Sequence, residues 1–314
     1  MNPIKAPFPW FGGKSRVASI VWERLGDIAN YIEPFFGSGA VLLGRPTEPR
    51  TETVNDFDGF VSNFWRAVVA DPEAVAFHAG WPVNENDLHA RNFHLASMRE
   101  EFRARLEGDP AHYDAMIAGW WVWGMCCWIG SGFATWNGPW RSEDGLFLRT
   151  AGQGVTRKLP HLGDAGQGVH EWMEALAARM SRTRVCCGDW ERVTGESVTV
   201  KHGVTGVFLD PPYETGEGAD VYAHDGGVWG RVWPWALANG ANPLLRIALC
   251  GYDGDHGRQF LDAGWTEVEW KAHGGYGSQG QGSGRENCTR ERIWFSPACL
   301  SVDAAQGLLW EELA

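Results

Sequence analysis

The 314-residue sequence predicts an α/β fold: one mostly parallel sheet with helices on both faces, interrupted by a helical insertion. Three observations predict it. A strand, a glycine turn, a helix and a second strand follow one another between Asn30 and Asn55. Helical periodicity dominates from Asp58 to about Arg184. Strand patterns then resume and alternate with helices as far as Phe295.

Lys14 to Leu25 places Val17, Ile20, Val21 and Leu25 on one helical face, and Gly26 can end that helix. Asn30 to Glu33 reads as a short strand stopped by Pro34. The turn Gly37-Ser38-Gly39 leads into a helix through Ala40, Val41, Leu42 and Leu43, and Glu52 to Asn55 is the next strand. This succession is a unit of the Rossmann type. Helices are expected around Phe60, Val61, Phe64 and Val68, then from Leu88 to Leu106 and from Tyr113 to Trp128. Gly130 to Gly168 is glycine-rich and aperiodic, which predicts loops or short hairpins, and His170 to Met180 is helical again. Further strands are expected at Arg184 to Cys187, Gly206 to Leu209, Leu244 to Cys250, Trp265 to Trp270 and Arg292 to Phe295. Helices fall near Trp229 to Ala238 and His256 to Ala263. Gly274 to Gly284 is of low complexity and reads as a mobile loop between two antiparallel strands, the last strand being antiparallel. The sheet domain is thus expected from residues 1–58 and 185–314, and the insertion from 59–184.

Composition bounds the function. At 44% hydrophobic, the chain can bury a sizeable core, which excludes wholesale disorder. The 19 tryptophans suit core filling first, although aromatic rings also stack on bases and adenosyl groups. The N-terminal residues lack the apolar stretch of a signal peptide. The most apolar run, Met116 to Ile129, is too short to span a bilayer and reads as a buried helix, so no membrane role is expected. Cysteines occur as the vicinal pairs Cys126-Cys127 and Cys186-Cys187 without metal spacing, and His161 and His170 suit hydrogen bonding better than metal ligation. A reducing, cytoplasmic setting and no metal are expected.

A net charge of −12 argues against a protein that simply coats nucleic acid. The charge is uneven: residues 185–314 hold nine basic and eighteen acidic side chains, whereas 136–184 hold seven and five, and 271–292 hold four and two. The last two segments are the expected contacts if nucleic acid binds.

Two constellations carry chemistry. A glycine turn after a first strand permits close backbone approach to a nucleotide-like ligand, and an acid ending the next strand can accept from ribose hydroxyls. Asp56 lies at the distance expected of that acid. Taken alone, this also fits an ordinary strand-to-helix turn, and Leu42 stands where a dinucleotide fingerprint wants a third glycine. The second constellation is Asp210-Pro211-Pro212-Tyr213, after the apolar strand Val207-Phe208-Leu209. Two prolines fix φ and remove N–H donors, which frees nearby carbonyls to face a site. An aromatic amino group is a poor nucleophile because its lone pair is delocalised. The Asp210 carboxylate and Pro211 carbonyl can hold both its hydrogens and localise that pair. Tyr213 can stack on a base taken out of the helix.

Together these segments resemble the Dam-like, D12-class adenine-N6 DNA methyltransferases of the α group. PFPWFGGK (7–14) resembles the family's motif X, YIEPFFGSGAVLL (31–43) its motif I, VNDFD (54–58) its motif II and DPPY its motif IV. The resemblance covers roughly residues 5–70 and 184–296. It implies a Rossmann-like fold dependent on S-adenosylmethionine, S-adenosylhomocysteine as product, and a target-recognition insertion. It implies that Trp10 and Lys14 line the donor pocket, Lys14 also reaching DNA, and that Glu33, Phe35, Gly37 and Gly39 surround the donor's methionine part. Asp56 then binds the ribose, Asp189 and Trp190 meet the donor's adenine, and Asp210, Pro211, Pro212 and Tyr213 hold the target adenine, with Asp210 also bordering the donor. Pro212 and Pro211 act through the backbone they fix.

The expected partner is DNA, with Arg141, Arg149, Arg157 and Lys158 as candidate phosphate contacts and Trp136 and Trp140 as stacking or core residues. A restriction endonuclease is an admissible partner, and a monomer is favoured. Competing readings are methylation of another nucleobase or of RNA, and a catalytically inactive nucleic-acid-binding relative. Asp210 favours adenine, since cytosine-N4 enzymes usually show Ser there and protein-glutamine enzymes Asn.

Overall fold

The computed structural model describes residues 4–10, 14–109, 111–128, 132–135, 142–143, 146–147, 168–212, 227–254, 256–270 and 291–301. A single turn of tight helix, Lys14–Arg16, precedes α1 (Ala18–Leu25), which buries Val21, Trp22 and Leu25 and stops at Gly26. Strand β1 (Asn30–Glu33) is buried along its whole length. The glycine turn follows, then α2 (Ala40–Leu43) and β2 (Thr51–Asp56).

The segment after β2 is helical: α3 (Gly59–Ala70), α4 (Pro72–Ala79), α5 (Glu85–Gly108) and α6 (Ala115–Cys127). Strands β3 (Ser142–Glu143) and β4 (Leu146–Phe147) form a minimal antiparallel pair before α7 (Val169–Met180). Helix α4 is not announced by the apolar periodicity. Its signal is local: the Asp71 carboxylate accepts from the Ala74 N–H at 3.0 Å and Pro72 occupies the first turn. The remaining elements are β5 (Thr183–Cys187), β6 (Thr205–Leu209), α8 (Val228–Asn239), β7 (Leu245–Tyr252), α9 (Gly257–Asp262), β8 (Thr266–Glu269) and β9 (Glu291–Phe295).

Seven strands form one sheet in the order β5-β2-β1-β6-β7-β9-β8. All neighbours are parallel except β9, which runs antiparallel to both β7 and β8. The mixed, mostly parallel sheet with its last strand reversed is the expected one. Side-chain alternation along the central strands sorts two cores. Tyr31, Phe208, Ala248 and Cys250 face the helices of the N-terminal half. Ile32, Val207, Leu209, Ile247 and Leu249 face Trp229, Val232 and Phe260 on the other side. Phe64 and Val68 of α3, Val75 of α4 and Trp121 of α6 belong to the same cluster as Tyr31. The helical segment therefore packs directly on the sheet.

A buried ionic knot fastens that packing. Glu52 of β2 takes Arg45 at 3.1 Å and both Arg179 guanidinium nitrogens, from α7, at 2.7 and 2.9 Å; Thr183 adds a hydroxyl at 3.1 Å. The three charged side chains are almost wholly withdrawn from water, so each depends on the others for compensation.

Candidate active site

Register places the chemistry. Ile32 lies beside both Thr53 and Val207, and Asp56 beside Cys187, so the C-terminal ends of β1, β2, β5 and β6 share one edge. Ligand sites of parallel sheets form there. The loops leaving these strands carry the glycine turn, Asp56, Asp189 and Asp210.

The glycine turn needs its glycines. Gly37 and Gly39 have φ of 47° and 69°, where a Cβ is strained. A Cβ on Gly37 would also fall 2.4 Å from Trp10 Nε1. Trp65 closes the other side by donating its indole N–H to the Gly37 carbonyl at 3.1 Å. The Gly37 N–H donates to Asp56 Oδ2 at 2.9 Å, and the Asp58 N–H to Asp56 Oδ1 at 2.9 Å. Burial nonetheless pushes the Asp56 carboxyl up to about 7, against the pull of those backbone donors. The Phe57 N–H adds a third backbone donor, and the carboxylate as a whole still has acceptor capacity for a ligand hydroxyl.

Asn55 was not anticipated. Buried at the end of β2, it donates its side-chain amide to the Pro34 carbonyl at 3.1 Å and the Gly188 carbonyl at 2.9 Å. One side chain thus ties together the loops after β1, β2 and β5. Asp58 caps α3 through the Phe60 N–H and pairs with Arg99 of α5 at 2.9 Å, joining the loop after β2 to the helical segment.

Asp189 begins a tight helical turn, Trp190–Val193, by accepting from the Glu191 N–H at 3.0 Å. Trp190 is buried beneath it, its ring 6.3 Å from that of Phe35. Desolvation opposes ionisation of Asp189, but hydrogen bonds from Arg231 and the Glu191 N–H outweigh it and hold the carboxyl below its ordinary range.

Asp210 sits at the end of β6, 3.1 Å from the Lys14 ammonium, which is also 3.7 Å from Glu291 and lies over the Trp270 ring at 5.1 Å. Lys14 is turned inward, 6% exposed. Desolvation works against its charge, but Asp210 and Glu291 more than compensate and raise its pKa, so it stays an ammonium. Glu291 reaches this cluster because β9 runs antiparallel, pairing Glu291 with Tyr252 at the C-terminal end of β7. Glu33 lies behind, accepting from the Tyr31 hydroxyl at 2.9 Å; burial first, and the nearby Asp210 charge, push its carboxyl well above the usual range. Tyr213, Trp136, Trp140, Arg141, Arg149, Arg157, Lys158 and His161 lie outside the described residues, as do 271–290. Among the described residues no group of three or more His, Cys, Asp or Glu is arranged to hold a metal ion, and no helix is long and apolar enough to cross a membrane.

The edge thus offers an acceptor for hydroxyls, an acid beside a buried indole, and a lysine-paired carboxylate in a proline-stiffened loop. Such a set can take a ligand that carries hydroxyls and a flat ring. The mostly parallel seven-stranded sheet and its helices are consistent with a Rossmann-like methyltransferase fold. Residues 10–105 match the family model described as D12 class N6 adenine-specific DNA methyltransferase. The match takes in Trp10, Lys14, the glycine turn and Asp56, and implies adenine methylation of DNA with S-adenosylmethionine as donor. No curated protein is significantly similar to the chain.

Proposed function

We propose that this protein transfers a methyl group from S-adenosylmethionine to N6 of an adenine turned out of duplex DNA. The observation that carries the reading is the register of β1 against β6, which sets the glycine turn and Asp210 side by side at one sheet edge. Asp56 accepts from the donor's ribose, Asp189 and Trp190 meet its adenine, and Glu33, Phe35, Gly37 and Gly39 enclose its methionine part, with Trp10 packed behind Gly37.

S-adenosylmethionine supplies an activated methyl on sulfonium. The protein's task is to aim an amino group at it and to exclude water. Asp210 accepts one N6 hydrogen and the Pro211 carbonyl the other, which draws the nitrogen toward a pyramidal shape with its lone pair on the donor side. Lys14, itself paired with Glu291, holds the Asp210 carboxylate in place, and Tyr213 stacks on the base. Lys14 is spent on this pairing, so DNA phosphates fall to Arg141, Arg149, Arg157 and Lys158.

The test is direct. Unmethylated DNA is incubated with the protein and isotopically labelled donor, then digested to nucleosides for mass spectrometry, with single-stranded RNA in parallel. Label in N6-methyldeoxyadenosine is expected. Label confined to cytosine or RNA, or none in any base, would overturn the reading.

A further inference from the structure

Helix α8 contributes a residue to the donor-adenine pocket that neither the motifs nor their spacing indicate. One guanidinium nitrogen of Arg231 donates to Asp189 Oδ2 at 2.8 Å and the other to Glu191 Oε1 at 2.8 Å. The same guanidinium lies 6.0 Å from the centroid of the Trp190 ring. One turn along α8, Trp235 meets Trp190 edge-on, with centroids 5.8 Å apart and planes at 82°. Residues four apart share a helix face, so α8 grips the Asp189–Trp190 pair at two points.

An exposed ion pair is ordinarily worth little. This one differs in geometry. The rigid guanidinium fork bridges two carboxylates while resting on an indole, which removes the rotational freedom that usually erodes such pairs. Both oxygens of Asp189 are then fixed, one by the Glu191 N–H and one by Arg231, and each retains one free lone pair. Asp189 and Arg231 are about two-fifths exposed, at 40% and 43%, so a ligand ring laid over the pair would shield it from water and strengthen it.

We infer that Arg231 is a positioning residue of the donor site: it orients the Asp189 carboxylate toward the exocyclic amino group of the donor's adenine, and so sets the preference for an adenosyl over a deaminated donor. The inference rests on the adenine placement proposed above. It assigns to α8, the helix that follows the target-base loop, a part in choosing the donor.

The test compares two probes that differ at one group: S-adenosylhomocysteine and S-inosylhomocysteine, which carries an oxygen in place of the amino group. Affinities are measured by calorimetry on the full chain for the parent, R231M, R231K and D189N. The parent is expected to prefer the adenosyl probe by about tenfold or more, the worth of one well-made hydrogen bond to a charged group. R231M should lower adenosyl affinity about five- to tenfold while leaving inosyl affinity nearly unchanged, and R231K should fall between. Equal losses for both probes in R231M, with D189N still abolishing the preference, would overturn the role of Arg231 and leave the adenine placement standing. A preference that survives D189N would overturn both.

Discussion

Asp56 shows how a single carboxyl can report on ligand binding. It accepts from the backbone N–H groups of Gly37, Asp58 and Phe57, yet burial raises its pKa from 3.8 to about 7. In the ligand-free protein the folded state therefore holds the proton more tightly than the unfolded chain. The stability from this group is complete below about pH 4 and is lost as pH rises through about 7. Ribose hydroxyls donate best to the ionised form, so donor binding should expel that proton. S-adenosylhomocysteine affinity should climb between pH 5 and 7 and level off above the Asp56 value of about 7. Calorimetry in buffers of differing ionisation enthalpy should show proton release at pH 6, and Asp56→Asn should flatten the profile. An unchanged profile in that variant would remove Asp56 as its source. In the proposed mechanism Asp210 belongs to the chemical step instead. Asp210→Asn keeps the shape but gives up the charge that Lys14 and Glu291 flank. Single turnover should fall by about a hundredfold or more with donor affinity little changed, because the acceptor counts mainly in the transition state. A parent-like single-turnover rate would exclude the carboxylate from the chemistry. Asp56, Asp189 and Asp210 are legible from neighbouring residues in the chain. Asn55, Glu291 and Arg231 are not, since their partners arrive from distant strands and helices.

Helices α4 and α6 pack closely. Gly119 lets the two backbones meet: a Cβ there would lie 2.4 Å from His78 Cβ, 2.8 Å from the Val75 carbonyl and 3.0 Å from the Ala79 N. Two of those atoms are backbone, so side-chain rotation cannot relieve the clash. Alanine gains about 1 kcal/mol of helix propensity over glycine. Moving α4 off α6 forfeits more, since overpacking costs about 1–3 kcal/mol before any contacts are lost. Gly119→Ala is therefore expected to lower unfolding free energy by about 1–2 kcal/mol in urea titration. Stabilisation in that titration would show that the helices separate freely. The apolar run Met116 to Ile129, which holds Gly119 and Gly124, reads as a buried helix in the sequence. Its close neighbour is not visible there, because α4 has almost no amphipathic stripe and is specified by Asp71 and Pro72 at its start.

At the scale of the molecule, the helical segment and the sheet are joined through Glu52, whose carboxylate compensates Arg45 and Arg179 together. Removing it leaves Arg45 only the more distant Asp27, at 3.9 Å, and takes the carboxylate partner from Arg179. Glu52→Ala should destabilise by roughly 3–5 kcal/mol, with α7 loosening first. Hydrogen exchange should show protection lost in 169–180 before β6 and β7. Loss spread evenly over the chain would mean that Glu52 is not the joint. The sequence by itself determined the kinds of element, their order, and the residues whose chemistry depends on near neighbours: the Gly37–Gly39 turn, Asp56 ending its strand, and Asp210 before two prolines. Those features are set by φ preferences, alternation and local donors, all of which operate over a few residues. Only the tertiary structure decided that Glu291 flanks the Lys14–Asp210 pair, that Asn55 ties three loops, and that Arg231 clamps Asp189. Each of these depends on strand register or on how a helix lies across a sheet. Those are set by the packing of two cores built from the whole chain, and no short stretch of sequence contains them.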